Sequence, residues 1–325
     1  MLCNLKEASD LVSTGRPLLI AGNAGALRKL PRGNWMGGTT PYLMAGGKSG
    51  ESGDGLLVTC MPDGAEFLEI QRYGVGGVGY VLSDSPSEGF TVVVMPLGAE
   101  VQQYFSKEAN GVKGLLEKTI VGWISGVVGN RLNERPQVFY GPTGHGIEDE
   151  IVAMHVKLPA HLAPCVDVIN IFEEGDGDSI AFVSDGFTAT YAIVNGESVS
   201  FAKYLAEQRI NLSLPLVTTV NGRRYNVSLG GYDTDSGRVN FYAPVFHDIV
   251  YKFARPVADP LQALRNALPA NDDSVVFGCL CTGNYMDGAL ADYSGNRFEG
   301  PVSYGEIAYL MTNQCIVRLR ITKRV

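Results

Sequence analysis

At 325 residues, with 45% apolar and 18% charged side chains, the chain is long enough for two domains or one large one and can fill a sizeable core. A formal net charge of −8 and a pI near 5.1 exclude a nucleic-acid-binding face, which needs clustered Lys and Arg against phosphate; pairs such as Arg223-Arg224 and Lys323-Arg324 are too short to supply one. No apolar run reaches the eighteen or so residues of a membrane span, and the amphipathic start, Met1 to Asp10, lacks a long apolar signal core, so a cytoplasmic location without membrane insertion is expected, with the cysteines at 3, 60, 165, 279, 281 and 315 as free thiols.

In chain order, hydrophobic periodicity predicts an amphipathic helix at roughly 3–13 and strands at roughly 17–21, 55–60, 66–73, 78–82 and 90–95. A helical pattern over roughly 99–120 is broken near Asn110-Gly111, and strands follow at roughly 136–140, 150–157, 166–172 and 189–194. Ser198 is placed to cap a helix running to about Arg209. Strands are then predicted at roughly 216–220, 225–229, 239–242 and 248–253, with Asn221-Gly222 as a hairpin turn. Asp259-Pro260 opens the clearest helix: Asp caps it, Pro takes its first position, Leu261, Leu264 and Leu268 share a face, and Pro269 ends it. The last strands fall at roughly 274–280 and 314–322.

Many strands with few helices, and no regular alternation of strand and helix, predict a strand-rich α+β fold. Two sheet-based halves are expected, an N-terminal half over 1–160 and a C-terminal half over 161–325, divided near Leu158–Pro164 where two prolines sit.

Several motifs fail their context. Gly74, Gly76 and Gly79 satisfy G-x-G-x-x-G, but the predicted strand that follows offers no helix N-terminus to a pyrophosphate. Gly47-Lys48-Ser49 resembles a phosphate loop, yet Tyr42 stands where the first glycine is required; a mobile loop is expected instead. Cys279 and Cys281 are too close for a zinc knuckle, though i and i+2 side chains share one face of a strand. His145, His155, His161 and His247 form no pair at helical metal spacing.

The chemistry concentrates in the last fifty residues. An apolar run ends in Cys279 and Cys281 and a polar turn, Thr282-Gly283-Asn284; Tyr304-Gly305-Glu306-Ile307 follows, and Asn313-Gln314 opens the terminal strand. Thiols, amides, a phenol and a carboxylate at strand ends are the polar set that lines a pocket, so Cys279, Cys281, Asn284, Tyr304, Glu306 and Asn313 are expected to converge. Glu306, among apolar neighbours, must find donors or stay protonated. Trp35, in the glycine-rich Asn34–Tyr42 stretch, is read as a core residue or as a stacking surface for a ligand.

These same residues resemble the C-terminal half of FIST domains, the sensory modules of bacterial signalling proteins. The resemblance lies in the strand into Cys279-Leu-Cys281, in Gly300-Pro-Val-Ser-Tyr-Gly-Glu-Ile-Ala308 and in Asn313-Gln314; Val239 to Phe246 and Asp259 to Leu264 resemble the preceding strand pair and helix. Gly33 to Tyr42 is similar to a bacterial branch of the same superfamily. The resemblance implies an intracellular ligand sensor for a small molecule such as an amino acid. No kinase, cyclase or chemotaxis segment is attached, so a separate signalling protein would carry the output. No cofactor is expected from the residues. The resemblance brings in haem, which some relatives bind; the alternatives are a haem or metal sensor with His145, His155 or His247 as axial ligand, and an enzyme with a Cys279 or Cys281 nucleophile.

Overall fold

The computed structural model describes residues 1–108, 117–129, 134–220, 222–268, 273–287 and 298–324. Gly89–Pro96 lies at the centre, with all eight residues buried. A strand covered on both faces must be apolar on both, and Val92 and Val94 face one core cluster while Val93 and Met95 face another. This strand runs parallel to Thr119–Ser125 and antiparallel to Ile151–Lys157. The central sheet is ordered Leu310–Thr312, Glu306–Ala308, Thr119–Ser125, Gly89–Pro96, Ile151–Lys157, Glu66–Tyr73.

Two further six-stranded sheets pack on one face of it. The first holds Leu18–Gly22, Trp35–Thr39, Leu56–Cys60 and Val138–Tyr140; the second is ordered Leu162–Ile169, Ile316–Lys323, Val275–Cys281, Gly300–Ser303, Tyr42–Ala45, Lys48–Glu51. Their apolar faces meet the central sheet in a single cluster that includes Met36, Val92, Trp123, Met154, Cys279 and Val317. The opposite face packs against the helices Val78–Asp84 and Glu100–Glu108 and against a second body of sheets built from residues 180–253. The fold is strand-rich α+β, as the sequence predicts.

The proposed division at 160/161 falls in the turn between Ile151–Lys157 and Leu162–Ile169. Strands from both sides of it share sheets, however: Glu306–Ala308 joins the central sheet beside Thr119–Ser125, and Gly300–Ser303 pairs with Tyr42–Ala45. Among the described residues no helix is long and apolar enough to cross a membrane.

Several elements depart from the sequence reading. Residues 78–82 are not a strand but part of the helix Val78–Asp84, which buries Val78 and Val81 one turn apart. The glycine motif is therefore followed by a helix after all. Its strand, Glu66–Tyr73, is an antiparallel sheet edge, not the parallel crevice a dinucleotide fold provides. The glycine-rich stretch around Trp35, for which no strand was predicted, contains the buried inner strand Trp35–Thr39, in which a Cβ on Gly37 would overlap the carbonyl oxygen of Ile20. Lys48–Ser49 lies in a tight hairpin, Tyr42–Ala45 with Lys48–Glu51, turned by Gly46 and Gly47 at φ +59° and +72°. Thr282-Gly283-Asn284 begins the helix Thr282–Asp287 rather than a turn. The predicted 99–120 helix is Glu100–Glu108 followed by the strand Thr119–Ser125, with 109–116 and the expected break at Asn110-Gly111 outside the described residues, as are Asn221 and Pro269.

His155, wholly buried in Ile151–Lys157, has both ring nitrogens engaged within the protein, Nδ1 at 2.9 Å from Thr91 Oγ1 and Nε2 at 2.8 Å from the Tyr73 hydroxyl. Tyr73 donates onward to Asp84 at 2.9 Å. Burial pushes the His155 pKa down, against the opposing pull of Glu69 and Asp84. A depressed folded pKa adds stability above the unfolded value of about 6.5 that is lost as pH falls through the folded one. Denaturant unfolding between pH 7 and pH 4 should therefore show a stability loss that His155→Gln reduces. At pH 7 the same substitution should cost roughly 1–3 kcal/mol, because Thr91 or Tyr73 loses a buried partner. Identical pH profiles for the two proteins would refute this.

Candidate functional site

The path of the last fifty residues brings distant positions together. Val275–Cys281 carries Cys281 at its end, opposite Ser303 of the parallel neighbour Gly300–Ser303. The chain then bends through Tyr304-Gly305 and enters the central sheet as Glu306–Ala308, with Glu306 opposite Trp123. It reverses at Tyr309, at φ +69°, and runs back as Leu310–Thr312. A second tight turn at Gln314, φ +49°, sends it into Ile316–Lys323 beside Val275–Cys281, where Ile316 meets Leu280. Each time the chain changes sheet, a polar residue is left at the joint.

Glu306 occupies that joint with no solvent exposure. Its Oε1 lies 2.7 Å from Ser303 Oγ and its Oε2 lies 3.5 Å from Cys315 Sγ. Ser303 Oγ is also 3.0 Å from the Gly305 carbonyl. A hydroxyl has a single proton, so Ser303 donates either to Glu306 or to the Gly305 carbonyl. A proton on Glu306 Oε1 would let both contacts be hydrogen bonds, with Glu306 donating to Ser303 and Ser303 to Gly305. Burial favours that neutral form, pushing the Glu306 pKa up to about 8 against the donors that would hold the carboxylate.

The thiols around it are shifted as well. Cys279 donates to the Gly122 carbonyl at 3.2 Å. Burial first, and Glu306 second, raise Cys279, Cys281 and Cys315. Backbone amides oppose the rise at two of them, that of Val317 at Cys279 and those of Gln314, Gly283 and Asn284 at Cys281. All six cysteines are free, and among the described residues no group of three His, Cys, Asp or Glu side chains is placed to hold a metal ion.

A cleft of about 360 Å³ opens on the solvent side of Cys281. One wall is Cys281, Thr282, Gly283 and Met286 with Tyr304, Asn313 and Gln314; the other is Leu212, Ser213, Ser228, Leu229 and Tyr242. Tyr304 donates to the Val127 carbonyl at 2.8 Å, and its ring covers Gly126 so closely that any side chain there would collide with it. Gln314 joins the walls: its Oε1 accepts from the Ser228 hydroxyl at 3.1 Å and its Nε2 donates to the Ser213 carbonyl at 3.2 Å. Asn313 accepts from the Ser228 amide at 3.3 Å. Its side chain is almost wholly buried, yet its Nδ2 donates no hydrogen bond to any described residue.

Of the positions singled out in the sequence, Cys281, Tyr304 and Asn313 line this cleft. Glu306 stands behind it. Cys279 is two residues further back along the strand and is directed at Gly122. Asn284 is buried in the short helix, with Nδ2 unpartnered among the described residues, and does not line the cleft. Trp35 belongs to a different core cluster, stacked on Phe139 with centroids 6.3 Å apart and donating to the Pro31 carbonyl at 2.8 Å. Of the other histidines, His145 is exposed and His247 pairs with Asp185 at 2.8 Å on the surface. The facing wall went unrecognised, because Ser228 and Tyr242 belong to ordinary strand patterns and are brought to the cleft by topology alone.

Fold and site thus define a class, an α+β protein whose cleft lies where a C-terminal hairpin passes between two sheets. The chain belongs to DUF6976, a family of unknown function, whose family model matches residues 3–322. A search of curated proteins gave no match.

A raised carboxyl pKa makes the Glu306 contribution to stability greatest below its unfolded value near 4.5, with decline up to about pH 8. Across that window the slope should approach about 1.4 kcal/mol per pH unit. Glu306→Gln should abolish it, making the variant relatively more stable at pH 8 than at pH 5. Urea unfolding at both pH values would disprove the assignment if the difference between the two proteins did not change.

Proposed function

We propose that this chain is a small-molecule-binding sensory module, intracellular in setting, whose ligand occupies the cleft beside Cys281 and whose bound state is read by a separate signalling protein. The observation that carries the reading is Asn313, whose side-chain amide borders the cleft, accepts from Ser228, and donates from Nδ2 to no described residue. A ligand carbonyl would accept from that donor, a hydrogen bond worth about 0.5–1.5 kcal/mol. The cleft volume is within the range of small-molecule sites. Its walls come from segments 212–242 and 281–314, so a ligand bridging them would tie two parts of the chain together, which is the mechanical requirement of a sensor. The FIST-like character of the C-terminal segment and the acidic charge support the same reading.

Binding is favoured over thiol catalysis. A nucleophilic cysteine needs its thiolate within reach of neutral pH, whereas burial holds Cys281 far above it.

The test is a thermal-shift screen against a metabolite panel that includes the amino acids. A true ligand should raise the melting temperature with the logarithm of its concentration above Kd and shift the methyl NMR signal of Met286 on the cleft wall. Asn313→Ala should weaken it about tenfold, the loss of one hydrogen bond, while Trp35→Phe should leave affinity unchanged. A ligand whose affinity ignored Asn313, or a panel without any ligand, would count against the cleft.

A further inference from the structure

The geometry points to an uncharged ligand for this cleft: a ring or compact apolar body carrying a neutral amide or lactam edge. The inference rests on the cleft being the ligand site. Among the described residues, none of those lining the cleft bears a charge. An ion moved from water into such surroundings loses hydration that no counter-charge replaces, and the penalty is several kcal/mol.

The acid nearest the cleft is Glu306, behind the Cys281 wall. It is wholly buried, with no cation beside it among the described residues, and its neutral form satisfies both contacts of the Ser303 hydroxyl, to Glu306 Oε1 and to the Gly305 carbonyl, at once. An ammonium ligand therefore finds no anion there. A carboxylate ligand fares no better, since the amides of Gly283 and Asn284, which would otherwise receive an anion, are directed at Cys281 Sγ.

What the cleft does offer is matched to an amide. Asn313 Nδ2 is a free donor for a carbonyl. Thr282 gives its hydroxyl proton to the Ser303 carbonyl at 2.6 Å and keeps lone pairs for an N–H. Gln314 is committed at both ends to Ser228 and Ser213, so it shapes the cleft rather than reading the ligand. Leu212, Leu229, Met286 and the Tyr304 ring supply the apolar walls for the body of the molecule.

Three compounds of one shape separate the outcomes: benzamide, benzoate and benzylamine, respectively neutral, anionic and cationic at pH 7. Their affinities for the full chain are measured by ligand-observed NMR, with the shift of the Met286 methyl signal, on the cleft wall, locating the site. The expected result is that benzamide binds at least about tenfold more tightly than either ion, shifts Met286, and loses that advantage in Asn313→Ala. Preferential binding of benzoate or benzylamine with Met286 shifted overturns neutrality and leaves the cleft as the ligand site. If a metabolite from the wider panel shifts Met286 while none of the three compounds binds, the amide class is wrong and the cleft stands. If nothing shifts Met286, both readings fall.

Discussion

The arrangement around the cleft depends on one buried carboxyl. Glu306 has no contact with water, and it sits where the chain leaves the sheet of Gly300–Ser303 for the central sheet and later returns as Ile316–Lys323. A charged carboxylate there would cost several kcal/mol in lost hydration. The protonated acid instead extends a chain of donors from Glu306 through Ser303 to Gly305, while Cys315 approaches its other oxygen. The joint is held by neutral hydrogen bonds, and the two left-handed residues, Tyr309 and Gln314, are kept in strained backbone by the pairing on both sides of them.

Much of this was legible in the sequence where local rules are strong. Asp259-Pro260 gave its helix, and the N-cap Asp259 accepts from the Gln262 amide as the cap rule requires. The strand predicted at 150–157 is Ile151–Lys157, whose side chains alternate as strand geometry requires, with Ile151 and Ala153 in one cluster and Val152, Met154 and Val156 in the other. Local rules failed where tertiary packing chose the residue. Gly37 and Gly122 are glycines because a neighbouring strand's carbonyl, of Ile20 and Val93 respectively, occupies the place of a Cβ; read locally, such glycines signal turns. In Val78–Asp84, valines three apart satisfy a helix, while their β-branching argued for a strand.

The site shows the same division. Residues at the ends of successive strands near the C-terminus were expected together, and Cys281, Tyr304 and Asn313 do meet at one cleft. Trp35 was marked for its unusual neighbours, but those neighbours are glycines required by strand approach, and its indole fills a separate core. Ser228 and Tyr242 could not be marked at all. They reach the cleft only because Leu229–Tyr232 and Val239–Val245 form a small sheet against the C-terminal hairpin, a contact between segments about seventy residues apart that no periodicity encodes.

Neutrality connects these features. Three thiols and an acid packed within one joint would repel strongly if ionised, and each raises the others' cost of ionising. Keeping all four protonated removes the repulsion and leaves hydrogen bonds and packing to hold the joint. It also leaves the wall beside the cleft without a local field. Recognition of the proposed ligand would then fall to shape and to directed dipoles such as the Asn313 amide, and a site of that kind rejects a wrong ligand by stranding a polar group. On that proposal the closure of the joint and the selectivity of the cleft would have one origin, because ionising Glu306 would weaken the first and place a negative charge behind the second.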